Sequence, residues 1–104
     1  MSLTARASGT ADAGGNLILA FRVVGQLPWT VSQVSIEMDT IAGGTLGAVR
    51  FNGFLVSPFV PGADAVGGDP PVTLQPGGDE LTVEWTGAPV GAVGTALLIY
   101  DPGA

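Results

Sequence analysis

The 104-residue sequence contains no cysteine, no histidine and no lysine. The first absence removes disulfides, thiol nucleophiles and thiolate metal ligands; the second removes imidazole bases and the usual zinc sites. Without histidine or lysine, a serine or threonine nucleophile has no conventional base. Stability must then come from packing or from subunit association, and cysteine usage gives no reading of the redox compartment. Charge is scarce as well, at 12% of residues against about 25% in an ordinary globular domain. The net charge is −6, with Arg6, Arg22 and Arg50 the only cations. No basic patch is available to neutralise phosphates, so neither nucleic acid nor an anionic membrane is an expected partner. The longest apolar run, Leu17 to Val24, is broken by Arg22, and the start, Met1-Ser2-Leu3-Thr4-Ala5-Arg6, has no apolar stretch of signal-peptide type. Neither a secretion signal nor a transmembrane helix is expected.

What the chain has in abundance is apolar and turn-forming residues: 46% are hydrophobic, with 17 glycines and eight prolines. The length suits one domain, residues 1–104, and surface scaling gives about 5,400 Å² for its folded surface. So few charges cover such a surface poorly, which predicts a permanent protein interface. Gly and Pro leave no window long enough for an ordinary amphipathic helix, so the chain reads as all-β. The expected strands are Leu3–Ser8, Leu17–Val24, Val31–Asp39, Leu46–Phe51, Phe54–Val60, Val72–Gln75, Leu81–Trp85 and Thr95–Tyr100.

Alternation places Leu17, Leu19, Phe21 and Val23 on one face of the second strand and Val34, Ile36 and Met38 inward on the third. Asn52-Gly53 suits a type I′ hairpin turn. Residues Pro61 to Pro71, rich in Gly, Pro and Asp, read as an irregular surface loop. The last strand is apolar on both faces, with Ala96, Leu98 and Tyr100 on one and Leu97 and Ile99 on the other. About eight short strands without helices predict an antiparallel β-sandwich, with the jelly roll favoured and an immunoglobulin-like sandwich as the alternative. Ile18, Val24, Leu97 and Ile99, opposite the core positions, are expected to form part of an oligomer interface.

Candidate chemistry rests on carboxylates and aromatics alone. Glu37 and Asp39, on one outward strand face, loosely resemble a glycosidase pair, but catalytic dyads normally come from different strands in a cleft. A solvated strand face is therefore the preferred reading. In Asp39-Thr40, Ile41 stands where an aspartic-protease motif requires glycine. Asp64, Asp69, Asp79 and Glu80 are of the type that binds calcium, yet turns need Asp for backbone reasons and the spacing is not that of an EF-hand. No metal, cofactor or catalytic residue is assigned. Trp85 follows the inward phase of Leu81 and Val83. Trp29, at a strand entrance, is the candidate for stacking on a sugar ring of a host-surface glycan.

Four stretches carry a family resemblance: Pro28 to Glu37, Val49-Arg50-Phe51-Asn52-Gly53, Asp69 to Leu74, and Pro76 to Gly87. They resemble short single-domain β-sandwich virion proteins of actinobacterial tailed bacteriophages, of capsid-decoration or head-fibre type. The resemblance spans most of the chain through turn-and-strand patterns, with no catalytic signature. It implies a non-enzymatic structural role on the outer capsid surface, as a homotrimer seated on the major capsid protein and made in the host cytoplasm. Tail-tip or fibre accessories and a non-catalytic carbohydrate-binding module are the alternatives. Decorations bind shells through termini and loops, so Met1 to Ala7 (with Leu3) and Pro61 to Pro71 (with Asp64 and Asp69) are the expected docking segments.

Overall fold

The computed structural model describes residues 3–103, and for residues 68–71 the backbone alone. Eight strands are present: β1 (Leu3–Thr10), β2 (Leu17–Arg22), β3 (Trp29–Met38), β4 (Leu46–Phe51), β5 (Phe54–Phe59), β6 (Ala63–Leu74), β7 (Glu80–Thr86) and β8 (Val93–Pro102). They form two four-stranded sheets, ordered β1-β8-β3-β6 and β2-β7-β4-β5, in which every pair is antiparallel. The pairs β1/β8, β2/β7, β3/β6 and β4/β5 are nested like the rungs of one long hairpin, and successive rungs alternate between the sheets. That rolled hairpin is a jelly roll, and its strand order rules out the immunoglobulin alternative.

The tip of the hairpin is the turn between β4 and β5. Asn52 and Gly53 both have positive φ, 49° and 86°, as a type I′ turn requires. At the other end, Leu3 pairs with Tyr100 and Thr10 with Val93. The second strand ends at Arg22 rather than Val24, while β3 starts at Trp29, two residues before its expected start. A bulge between Val31 and Gln33 makes this possible. It reverses the alternation, so that Trp29 and Val31 face inward as well as Val34, Ile36 and Met38.

The largest departure from the sequence reading is β6. The expected loop from Pro61 to Pro71 is mostly strand: Ala63 to Gly67 pair with Glu37 to Gln33, and pairing resumes at Val72 opposite Val31. Between those points β3 advances two residues and β6 five. The surplus residues include Pro70 and Pro71, which lack an N–H. An edge strand tolerates them because one of its sides needs no ladder bonds.

Between the sheets lie Leu17, Leu19, Phe21, Leu74, Leu81, Val83 and Leu98, all buried. Trp85 is fully buried, stands edge-on to Phe59 at 5.4 Å between ring centroids, and donates its indole N–H to the Pro61 carbonyl at 3.1 Å. Thr45, the buried polar side chain, accepts from Ala42 N and donates to the Gly87 carbonyl, each at 2.9 Å, which ties the β3–β4 loop to the end of β7. The accessible surface of 5550 Å² is close to the scaling expectation of about 5,400 Å² for a monomer. The chain thus closes its own core.

Candidate functional site

The pleat gives each sheet one outward face. On the first sheet this face carries Arg6 from β1, Thr95 and Leu97 from β8, Ser35 and Glu37 from β3, and Ala63 and Ala65 from β6. Arg6, Ser35, Glu37, Asp64, Thr95 and Leu97 line a shallow open groove of about 690 Å³. Its polar groups are of mixed sign, and no ring lines it. The carboxylates proposed for chemistry are separated in use. Glu37 lies within the sheet, opposite Thr95, whereas Asp39 follows the end of β3 and its Oδ1 accepts from Val93 N at 2.8 Å. Asp39 N also donates to the Val93 carbonyl at 3.0 Å, so this residue closes the β3–β8 ladder, while Glu37 and Asp39 both line one open groove beside Val93 and Thr95.

The acidic turn residues are likewise engaged by the backbone. Asp64 accepts from Val60 N at 2.8 Å and Ala65 N at 2.7 Å, in that order of effect, and these bonds hold its carboxyl below the usual range. Asp79 accepts from Gln75 N at 2.9 Å and from the Asn52 amide at 3.0 Å, with the same consequence. Glu80 pairs with Arg22 and Glu84 with Arg50, both at 2.8 Å. Among the described residues no group of three acidic side chains is placed to hold a metal.

The second sheet presents a different outward face. Ile18, Ala20 and Arg22 lie on β2, Thr82 and Glu84 on β7, Leu46, Ala48 and Arg50 on β4, and Leu55 and Pro58 on β5. Toward β5 this face becomes apolar. Leu46 is 69% exposed, Leu55 57% and the adjacent Phe54 77%, and a groove of about 310 Å³ runs between Leu46, Leu55 and Pro58, with the Arg50–Glu84 pair and Thr86 also in its lining.

The structure redistributes the residues singled out from sequence. Ile18 is exposed on the second sheet and Val24 in the β2–β3 connection, but Leu97 and Ile99 are half-buried on the outer face of the first sheet. Ile18 and the pair Leu97 and Ile99 thus lie on the outward faces of different sheets. Leu3 is exposed but already paired with Tyr100, and residues 3–7 belong to β1 instead of forming a free arm. Asp64 sits in β6 with its carboxylate bound to backbone N–H groups, and the Asp69 side chain lies outside the described residues, as do Met1 and Ser2. Trp29 is buried, its ring stacked on Tyr100 at 4.0 Å with 17° between planes, so that face is closed to a sugar. The sequence reading passed over Leu46, Phe54, Leu55, Val56 and Val60. The signal for them was an absence: from Thr40 to Ala63, Arg50 is the single charged residue.

No family model and no curated protein matches the sequence. Among solved structures the chain is similar to dimeric latent PorU from Porphyromonas gingivalis, at 13% identity and a TM-score of 0.34, covering 88% of this chain and 10% of that one. The chain spans about a tenth of that neighbour's length, and a likeness at this level carries no functional argument.

Proposed function

We propose that this chain is a non-catalytic structural protein of a tailed-bacteriophage virion, a decoration on the outer head surface that works as a homo-oligomer, most naturally a trimer, seated on the major capsid protein. The observation that carries the reading is the concentration of exposed apolar side chains on β4, β5 and the loops that flank them. Among the described residues, half of the twelve exposed large hydrophobics fall between Ile41 and Val60. A chain with this little charge and a completed core has reason to leave such surface open only if another protein covers it. The sequence resemblance to actinobacterial phage virion proteins supplies the setting, and a jelly roll is a common building unit of capsids. The carbohydrate-binding alternative is weakened, because its aromatic platform, Trp29, is stacked on Tyr100 inside the sandwich.

The test is mass spectrometry of heads and tails separated from purified particles. The protein is expected in the head fraction, at a copy number that follows the capsid lattice. Recovery from tails alone would move it to the tail-tip alternative, and absence from both fractions would sink the virion reading.

A further inference from the structure

We infer that Asn52 is a site of spontaneous covalent modification, deamidation through a cyclic imide formed with Gly53, and that the native turn keeps the site silent until the turn opens. The sequence has two asparagines, Asn16 and Asn52, and only Asn52 precedes a glycine. Gly53 has no side chain to shield its backbone nitrogen, whereas Asn16 precedes Leu17, whose branched side chain crowds the same atom. Asn52 and Gly53 are both exposed, and nothing lies within 4 Å of the place a Cβ would take on Gly53. Water therefore reaches the dipeptide freely.

The reaction needs no reagent but water. The Gly53 nitrogen attacks Asn52 Cγ and closes a five-membered ring. The bond from Cγ to the amide nitrogen breaks, and ammonia leaves with the proton that the Gly53 nitrogen gives up. Water then opens the imide at one of its two carbonyls, which leaves aspartate, or at the other, which leaves isoaspartate.

The fold opposes ring closure in two ways. Asn52 has φ 49°, in the left-handed well where ψ is about +47°. There the Gly53 nitrogen is trans to Cβ across the Cα–C bond, turned away from the amide carbon it must reach. The amide itself is tied down: its oxygen accepts from Glu80 N at 2.8 Å, and its nitrogen donates to Asp79 Oδ1 at 3.0 Å. These partners fix its orientation, since the N–H can meet only the oxygen and the carboxylate only the NH2. Closure thus requires the turn to leave the left-handed well and both bonds to part, so the rate follows the population of the opened turn.

Conversion also prevents the turn from closing as before. In the aspartate product an oxygen replaces the amide nitrogen 3.0 Å from Asp79 Oδ1, setting carboxylate against carboxylate. Isoaspartate adds a carbon to the main chain of a two-residue turn, which then cannot keep Phe51 opposite Phe54. Either product loosens the hairpin tip from which β5 departs.

Ageing the full chain at mildly alkaline pH, folded in buffer and unfolded in guanidinium chloride, tests this. Trypsin cleaves after Arg6, Arg22 and Arg50 and so leaves Asn16 and Asn52 on separate peptides, in which conversion is read by mass spectrometry and by isoaspartyl methylation. The unfolded chain is expected to convert Asn52 well ahead of Asn16, and the folded chain to convert Asn52 at least about tenfold more slowly than the unfolded one. Asp79→Ala removes the acceptor of the amide; with circular dichroism showing the sheets intact, it should raise the folded-state rate by about tenfold. Where that variant does not fold, Asp79→Asn, which sets one amide against another, should give a smaller rise in the same direction. Asn52→Asp reproduces one product and should lower the unfolding midpoint; adding Asp79→Asn restores a donor opposite the new carboxylate and should recover part of the loss. Equal rates in the folded and unfolded wild type, or a folded Asp79 variant that converts no faster, overturn the gate. Asn52 that stays intact in the unfolded chain overturns the site, and an Asn52→Asp chain as stable as the wild type overturns the effect of conversion on the turn.

Discussion

Asn52 and Asp79 join two turns far apart in sequence: the Asn52 side-chain amide donates to Asp79 Oδ1 at 3.0 Å. Asn52 also donates its backbone N–H to the Glu80 carbonyl at 2.9 Å, and its side-chain oxygen accepts from Glu80 N at 2.8 Å. These bonds carry the β4–β7 ladder one position beyond Phe51 and Leu81 and anchor the hairpin tip from which β5 departs. Asn52→Ala removes both side-chain bonds and forces alanine to φ 49°, so it should destabilise the fold by about 2–4 kcal/mol in urea unfolding. Asn52→Gly accommodates that φ and loses only the bonds, for about 1–2 kcal/mol. Equal losses in the two variants would show that the backbone conformation contributes nothing.

Acid should weaken the fold through Asp64 and Asp79. Both have folded-state pKa values below the ordinary 3.8, because backbone N–H groups of Val60 and Gln75 respectively are the leading donors to their ionised forms. The folded state therefore binds fewer protons than the unfolded one. The stability these groups contribute is fully present above the unfolded value and is lost as pH falls through the depressed folded values. Unfolding midpoints should stay level from neutral pH down to about pH 5 and fall below about pH 4. In the double variant Asp64→Asn, Asp79→Asn that acid limb should flatten; an unchanged slope would place the titration elsewhere.

The sheets were legible wherever one face is buried and the other is wet. Leu17, Leu19 and Phe21, and later Leu81, Val83 and Trp85, face inward as alternation predicts. Asn52-Gly53 was legible because its turn demands positive φ at both positions. The reading failed at β6 because composition reports turn chemistry and not tertiary position. Gly and Pro mark a loop in isolation, yet an edge strand with a bulge accepts the same residues. Exposure was not legible on a strand apolar on both faces, because such a strand can be covered by its own neighbours. Leu97 and Ile99 lie on β8 between β1 and β3 and are half-buried there, whereas Phe54 and Leu55 on the unpaired edge remain exposed. Strand order decides that difference, and no local pattern encodes it.

Trp85 makes the packing at the open end of β8 intolerant of added volume. A Cβ placed on Gly94 would stand 2.6 Å from Leu17 Cδ2 and 3.0 Å from two ring carbons of Trp85. Gly94→Ala should therefore cost about 1–3 kcal/mol by overpacking and lower the thermal midpoint by several degrees, with a shift in tryptophan emission. Gly78→Ala is the control, since nothing lies within 4 Å of its added methyl. A Gly94 variant as stable as the control would mean that Leu17 and Trp85 move aside freely.

If the chain is the virion component proposed above, shortening the N-terminus separates a docking arm from a structural strand. Leu3, Thr4 and Ala5 pair with Tyr100, Ile99 and Leu98, and Ala5 and Ala7 pack against the core from β1. Deleting residues 1–5 removes three of the eight paired positions between β1 and β8 and uncovers one edge of β8 beside them. That exposes Leu98, fully buried in the intact chain, and opens the side of the sandwich next to the Trp29–Tyr100 stack. A loss of about 2–4 kcal/mol is expected, from lost apolar burial and from ladder bonds left without partners. Deleting residues 1 and 2 alone leaves every one of these pairs in place and should keep the unfolding midpoint. Urea unfolding of both truncations, read alongside their incorporation into particles, divides the roles. If the shorter deletion abolishes incorporation at full stability, the extreme terminus docks on the shell. If only the longer one does so, and in step with its lost stability, β1 acts by holding the sandwich together.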